Sequence, residues 1–83
     1  MKDKILVKVY LHSTLIKYSP DGTSRKLEVS IDSGSTLLDL INSLGIDQTD
    51  HHLLLAVNGK VAEEFQTLEE NDSVHLMMPI SGG

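Results

Sequence analysis

The sequence has no cysteine and no tryptophan, and its aromatic residues are limited to Tyr10, Tyr18 and Phe65. The lack of cysteine excludes a disulfide scaffold and cysteine-ligated metal sites. The scarcity of aromatics removes the stacking surfaces that single-stranded nucleic acid needs. Basic residues are also few, since seven Lys and Arg stand against twelve Asp and Glu, for a net charge of −5. This net negative charge is unfavourable for binding the phosphate backbone of a nucleic acid, so we expect no nucleic-acid partner.

Long apolar runs are missing as well. No segment approaches the roughly 18 apolar residues of a membrane span, so we expect no membrane partner. The start, Met1-Lys2-Asp3-Lys4, leads into an alternating pattern rather than the apolar block of a signal peptide. We therefore expect a cytosolic location.

What the chain does contain is a periodic apolar pattern suited to one folded domain. It has 83 residues, of which 40% are hydrophobic. Apolar residues alternate with polar ones over residues 5–11 and again over residues 27–31, which predicts two strands with one apolar face each. Pro20-Asp21-Gly22 between them is turn chemistry, so the strands are expected to pair as an antiparallel hairpin. Residues 14–18 are compatible with a short helical turn within the loop.

The middle of the chain predicts one helix. Ser35 or Thr36 can accept hydrogen bonds from the first free N–H groups. An apolar stripe at helical spacing follows: Leu37, Leu40, Ile41 and Leu44. Gly45 stands where a glycine commonly ends a helix. So short a helix is not stable alone and has to pack on the sheet.

The last third predicts further strands. Residues 53–57 form a continuous apolar run, Asn58-Gly59 is a tight-turn dipeptide, and residues 61–65 suggest a short edge strand. A turn at residues 71–73 precedes a last alternating strand, which Pro79 ends. The order β-β-α-β-(β)-β predicts an α+β fold, a mixed sheet of four to five strands with one main helix across one face.

The sequence ends in Ser81-Gly82-Gly83. Glycine has no Cβ, so such an end can lie in a narrow slot and present a carboxylate to another protein's active site. We expect residues 1–79 to form the domain and residues 80–83 to form a flexible tail.

Several segments, taken in order, resemble the ubiquitin-like sulfur carriers of the MoaD/ThiS family, especially the small subunit of molybdopterin synthase. They are Thr14-Leu15-Ile16-Lys17-Tyr18 with Pro20-Asp21-Gly22, residues 35–45, Ala56-Val57-Asn58-Gly59, residues 68–74, and Pro79-Ile80-Ser81-Gly82-Gly83. Two departures stand out. Asn71 occupies a position where the family usually has glycine, and Met78 replaces the first of two prolines usual in molybdopterin-type tails. Asn tolerates the left-handed conformation, so we expect the turn to survive.

The resemblance implies the β-grasp (ubiquitin-like) fold and the role of a carrier rather than an enzyme, with no bound cofactor. An E1-like adenylyltransferase of the MoeB/ThiF type would use ATP to adenylate Gly83. The sequence itself has no phosphate-binding loop, which agrees with an ATP site on a partner. A sulfur donor would then leave a thiocarboxylate. A sulfur-acceptor enzyme, such as the large subunit of molybdopterin synthase, would consume it.

Other roles stay open beside this one. They are a carrier for thiamine-thiazole synthesis or for tRNA thiolation, a ubiquitin-like protein modifier joined to a target lysine, and a β-grasp binding module with an incidental tail.

Residue roles follow from the same resemblance. Gly83 carries the activated group, and the tail-recognition residues are Gly82, Ser81 and Ile80. The partner-binding residues are Met77, Met78, Pro79 and Lys60. Of the two methionines, one is expected in the core and the other exposed, because strand neighbours face opposite ways.

The remaining polar residues favour plainer interpretations. Adjacent histidines on an extended segment point apart, so His51 and His52 cannot easily share a metal ion. His12 and His75 are expected on the surface or in contact with a partner. Five acidic residues are either a solvated edge or a docking surface for a basic partner: Glu63, Glu64, Glu69, Glu70 and Asp72.

Overall fold

The structure is a computed structural model, and it describes residues 3–46 and 53–78. The chain forms, in order, β1 (Lys4–Leu11), a 3₁₀ helix (Ser13–Tyr18), β2 (Lys26–Asp32), α1 (Leu37–Ser43), β3 (Leu54–Val57), β4 (Lys60–Val61) and β5 (Ser73–Met77). The predicted strands, the helical turn after β1 and the main helix are all present. No helix in these two ranges is long and apolar enough to cross a membrane.

The five strands form one mixed sheet in the order β2-β1-β5-β3-β4. β1 and β2 pair antiparallel, as expected for the hairpin, with Val7 opposite Val29. β1 and β5 pair parallel, with Val9 opposite Val74, and β5 pairs antiparallel with β3. The first and last strands therefore lie side by side at the centre. This arrangement confirms the predicted α+β, β-grasp architecture.

The core lies between α1 and one face of the sheet. It is aliphatic, as the composition predicts, and its buried residues are Val7, Val9, Leu11, Leu15, Ile31, Leu37, Leu40, Ile41, Ile46, Leu55, Val57, Leu68, Val74 and Leu76. Each strand contributes alternate residues, so its other residues face away from the helix. The side of the sheet turned away from α1 is called the open face below.

The start of α1 is held by the segment that follows β4. Thr36 is the N-cap, and its hydroxyl accepts from the Asp39 N–H while the Asp39 carboxylate accepts from the Thr36 N–H, forming a capping box. The next free donors, the N–H groups of Leu37 and Leu38, bond to the carbonyls of Gln66 and Glu64 at 3.0 and 2.8 Å. The helix is therefore tied to the chain at its first turn.

The expected edge strand at residues 61–65 is wrong in extent, because β4 contains only Lys60 and Val61. The N–H of Ala62 still bonds to the Leu55 carbonyl at 2.9 Å. Beyond it the carbonyls of Glu64 and Gln66 accept from α1, so this backbone cannot also continue the sheet. Hydrogen bonding to the helix thus ends the strand.

Two turns depend on left-handed backbone. Asn58 and Gly59 have φ values of 53° and 84°, which match the tight turn predicted from this dipeptide. Asn71 has a φ of 67°, so asparagine adopts the left-handed conformation in the turn before β5, as expected.

Candidate functional site

The predicted tail lies outside the residues that the structure describes. This applies to Pro79, Ile80, Ser81, Gly82 and Gly83, and also to the His51-His52 pair. The roles assigned to these residues, and the boundary between residues 79 and 80, therefore stay predictions.

The strand that leads to the tail is anchored at the centre of the sheet. β5 pairs with β1 on one side and with β3 on the other. Its residues Val74 and Leu76 are fully buried. The His12 N–H extends this pairing beyond β1 by bonding to the Leu76 carbonyl at 3.2 Å. The sheet therefore holds β5, the last strand before the tail, in a fixed position.

Met77 and Met78 lie at the end of this strand, where the tail begins. Both are half-buried. The expectation of one core and one exposed methionine is therefore wrong in its extent of burial, since neither residue is fully buried or fully exposed. Met78 packs against the core, whereas Met77 lies opposite Leu54, whose exposure is 45%. The two side chains do face different ways. Met77 and Leu54 form an apolar patch next to the root of the tail, and flexible methionine suits such a surface.

Lys60 lies away from that patch. It is exposed, follows the Asn58-Gly59 turn and pairs with Val57, which in turn lies opposite Val74 near the start of β5. Met77 lies at the other end of the same strand. The structure thus does not bring Lys60 together with the methionines, and its role in partner binding stays a prediction.

The open face carries a cluster of rings that we call the Tyr10–His75–His12 cluster. The rings of Tyr10 and His75 stack, with centroids 4.5 Å apart and planes 9° apart. Nε2 of His12 and Nδ1 of His75 are 2.9 Å apart, so one ring nitrogen donates a hydrogen bond to the other. Nζ of Lys26 lies 5.8 Å from the Tyr10 centroid. Aromatic groups with polar tips are typical of protein interfaces.

Sequence reasoning placed these histidines on the surface but missed that they meet. The alternation in β1 and β5 indicates which face each residue occupies. The contact itself needs the parallel register that sets Tyr10 opposite His75, and these residues are far apart in the chain. Local patterns contain no signal for that register.

The acidic residues divide into two kinds. Asp72 accepts hydrogen bonds from the side-chain amide of Asn58 at 2.9 Å and from the Glu69 N–H at 2.8 Å. The carboxylate of Glu70 accepts from the Leu6 N–H at 2.5 Å. Asp72 and Glu70 therefore hold turns in place. Glu63 and Glu69 are exposed, and their carboxylates make no hydrogen bond within the described ranges.

Among residues 3–46 and 53–78, no group of three or more His, Asp or Glu side chains is placed to hold a metal ion. The His12–His75 contact is a pair of rings and does not form such a group.

The fold and the anchored last strand define a small ubiquitin-like protein of the β-grasp class. The ThiS family model matches residues 20–83, which is most of the chain and includes the Gly82-Gly83 end. The chain therefore belongs to the ThiS family. No curated protein sequence gives a significant match.

Solved structures show the same fold at low sequence identity. Small archaeal modifier protein 1 of Haloferax volcanii aligns with a TM-score of 0.75 at 18% identity, covering 92% of this chain and 99% of that one. A molybdopterin converting factor subunit 1 from Pyrococcus furiosus aligns with a TM-score of 0.72 at 20% identity, with coverages of 92% and 99%. For small archaeal modifier protein 1 of Methanosarcina acetivorans the values are 0.70, 21%, 98% and 99%.

Proposed function

We propose that this protein is a sulfur carrier whose Gly83 carboxylate is adenylated and then converted to a thiocarboxylate. We further propose that it donates this sulfur in molybdopterin-type cofactor biosynthesis, as the small subunit of a synthase. The observation that carries the proposal is the match to the ThiS family, because it extends through the Gly82-Gly83 end. Family membership supports the coarser role of sulfur carrier or ubiquitin-like modifier.

The chemistry requires two partners. A carboxylate resists nucleophilic attack, so ATP first converts Gly83 to an acyl-adenylate and releases pyrophosphate. A sulfur donor then displaces AMP and leaves the thiocarboxylate. The E1-like adenylyltransferase supplies the ATP site, and the large subunit of the synthase supplies the site where sulfur is transferred. The carrier itself contributes the reacting carboxylate, its recognition by both partners, and no catalytic group of its own.

The open face suits docking of such partners. The apolar patch of Met77 and Leu54 lies next to the root of the tail, and the Tyr10–His75–His12 cluster adjoins it through β5. A partner that covers this face also covers the end of β5, from which the chain continues into the tail. Contacts on β5 would therefore let such a partner capture the carboxyl end without the tail residues having to supply much binding free energy.

The molybdopterin branch is favoured by the resemblance of the loop with Tyr18 and Pro20-Asp21-Gly22 to small subunits of that synthase. The other acceptors, the thiazole of thiamine and tRNA, use the same activated end. A protein modifier is a second candidate, because small archaeal modifier proteins share the fold over nearly the whole chain. In that case a lysine of a target protein would attack the Gly83 adenylate or a thioester derived from it.

Intact mass spectrometry tests the activation step. The full chain is incubated with ATP, an E1-like adenylyltransferase and a sulfur source. We expect a mass increase equal to the difference between one sulfur and one oxygen atom. Gly82→Val should prevent the increase, because a branched side chain cannot enter a slot shaped for glycine. Gly82→Ala is the graded control, and circular dichroism checks that both variants fold.

Normal turnover of Gly82→Val, or no mass change in the wild-type chain with its cognate activating enzyme, would contradict the carrier role. The acceptor is tested next, by adding thiocarboxylated protein to the large subunit of molybdopterin synthase with its pterin precursor. Sulfur transfer there supports the molybdopterin branch. Transfer only to a thiazole-forming enzyme or to tRNA assigns the alternative carrier role, and covalent attachment to target lysines assigns the modifier role.

A further inference from the structure

The outer edge of β2 carries unpaired backbone groups in a regular row. The Leu11 N–H bonds to the Arg25 carbonyl at 2.7 Å, and the Ser33 N–H bonds to the Asp3 carbonyl at 2.7 Å. Hydrogen-bonded and non-bonded pairs alternate along an antiparallel ladder. The odd-numbered residues of β2 therefore bond to β1, and the N–H and C=O groups of the even-numbered residues point outward.

Three of these outward-facing residues are Lys26, Glu28 and Ser30. Their backbone N–H and C=O groups have no partner within residues 3–46 and 53–78. All three are exposed. The opposite edge of the sheet is different, because β4 has only two residues. Of the two edges, only that of β2 is long enough to pair with several residues of an added strand.

An apolar groove runs along the same edge, between β2 and the end of α1. It has a volume of about 400 Å³. Its floor comes from the half-buried side chains of Leu27 and Val29, which point toward α1. The walls are Tyr18 and Pro20 on one side and Ser43 and Leu44 on the other.

The position of the groove fits the alternation of side chains in a strand added to this edge. A strand added to β2 directs every second side chain to the helix side of the sheet, where the groove lies, and the others to the open face. The side chains that line the groove are apolar or carry a hydroxyl. Glu28 also borders the groove, but its side chain belongs to the open face because side chains alternate along β2.

Charge distinguishes the two ends of this edge. Three exposed cations lie near the start of β2: Lys26 is its first residue, Arg25 precedes it, and Nζ of Lys17 lies 5.3 Å from the ring centroid of Tyr18, which lines the groove. They outnumber the two carboxylates of this region, which are Glu28 and Asp21, the latter accepting from the hydroxyls of Ser19 and Ser24. At the far end the Lys4 ammonium pairs with Asp32 at 2.7 Å. An acidic residue in a bound peptide is therefore favoured at the end near Lys26.

We propose that the edge of β2 and its groove bind an extended peptide segment of a partner protein by strand addition. The segment has small apolar side chains at alternate positions and an acidic residue beside Lys26. The site is separate from β5, because β1 lies between the two strands, so a partner held here leaves the strand that leads to Gly83 uncovered. Peptide binding at this edge does not depend on the sulfur-carrier role.

The test uses a synthetic heptapeptide with valine and serine alternating and one aspartate at an end. Amide chemical shifts of the full-length, ¹⁵N-labelled protein are followed during titration. We expect the largest shifts at Lys26, Glu28 and Ser30 and at the groove residues. A probe with lysine in place of the aspartate should bind several-fold more weakly at low salt, since its charge is repelled.

Proline substitutions provide a matched pair. Glu28→Pro removes one outward N–H, and proline is tolerated on an edge strand where its nitrogen faces solvent. It should weaken binding about tenfold or more, as expected for a lost hydrogen bond plus a steric clash with the added strand. Val61→Pro is the control, because the 2.9 Å bond from the Ala62 N–H to the Leu55 carbonyl makes the Val61 N–H face outward on the other edge. It should leave binding unchanged.

Ser43→Arg is a second variant for the groove, because its long side chain obstructs the groove and a cation is favourable at the end of a helix. The Leu40 carbonyl, to which the exposed Ser43 hydroxyl donates at 2.7 Å, keeps its bond from the Leu44 N–H at 3.1 Å. The variant should also weaken binding while the thermal midpoint stays near that of the wild type. The proposal is overturned if the heptapeptide does not bind, if the shifts map to the open face, or if Glu28→Pro binds as well as Val61→Pro. It is also overturned if the edge pairs with a second copy of the chain, seen as a dimer that Glu28→Pro dissociates and the peptide does not.

Discussion

The two faces of the sheet are built from the same strands but differ in chemistry. On the side of α1, Val9 and Leu76 are fully buried within an entirely aliphatic layer. On the open face, the neighbouring residues Tyr10 and His75 stack on each other, and Leu54 of β3 is exposed. Because side chains alternate along a strand, each strand contributes to both faces.

The face covered by α1 therefore contributes mainly to stability, whereas the open face is available for recognition of partners. A domain of this size has an unfolding free energy of about 4–12 kcal/mol, at roughly 0.05–0.15 kcal/mol per residue. The covered face supplies most of the apolar burial behind that value, whereas the open face can change with little effect on folding. Residues of the open face are therefore available for partner contacts, and substitutions on the two faces should affect different measurements.

The largest effect is expected from Leu40→Ala. Leu40 is fully buried at the centre of α1, and its truncation leaves a cavity that costs about 2–5 kcal/mol. Urea denaturation followed by circular dichroism measures this loss. The matched control is Leu54→Ala on the open face, where the side chain is 45% exposed and the expected loss is under about 1 kcal/mol. Equal losses in the two variants would contradict the assignment of the core to one face.

Asp72→Ala should have an intermediate effect. Its carboxylate joins the Asn58 amide to the Glu69 N–H, and loss of hydrogen bonds to a charged group costs about 1–3 kcal/mol. The control is Glu63→Ala, an exposed residue of the same acidic set, which should lie within about 0.5 kcal/mol of the wild type. If the two variants are equally stable in urea, the acidic residues form one solvated edge and the turn does not depend on Asp72.

His75→Ala should separate stability from binding on the open face. The variant loses the stack on Tyr10 and the bond to His12, a loss of about 0.5–1.5 kcal/mol. If partners dock on this face, affinity for the adenylyltransferase falls at least several-fold, as isothermal titration calorimetry can measure. Glu28→Ala, on the same face near its outer edge, is the control for surface charge. Unchanged affinity of His75→Ala would place the docking surface elsewhere.

The local elements were predictable because their signals lie within a few residues. Alternation identified β1 and β2, and Thr36 with the apolar stripe identified α1. Asn71 also took the left-handed conformation expected from its own side chain. In each case the residues that form the structure are neighbours in the sequence.

The features that were missed depend on pairing between distant segments. The Tyr10–His75 stack requires the parallel register of β1 and β5. The early end of β4 follows from hydrogen bonds between Glu64 and Gln66 and the start of α1. The position of β2 at the edge of the sheet likewise follows from the strand order, which joins segments that are distant in the sequence. The residues with a proposed role in the chemistry, Gly82 and Gly83, rest on the sequence and the family match.

The smallest effect is expected in the loop between the 3₁₀ helix and β2, which belongs to neither face of the sheet. Hydrogen bonds from the Thr23 N–H, then from the Ser24 and Ser19 hydroxyls, lower the pKa of the Asp21 carboxyl well below its ordinary value of 3.8. The folded state therefore binds fewer protons than the unfolded state as the pH falls from that value. This contribution to stability is complete above pH 3.8 and is lost as the pH falls toward the lowered pKa. Asp21→Ala should thus be less stable than the wild type at neutral pH, and the difference should shrink below pH 3.8. Urea titrations at a series of pH values measure it, and carboxylates common to both proteins cancel in the comparison. If the difference in unfolding free energy stays constant down to about pH 2, the stabilisation by Asp21 does not depend on the charge of its carboxylate.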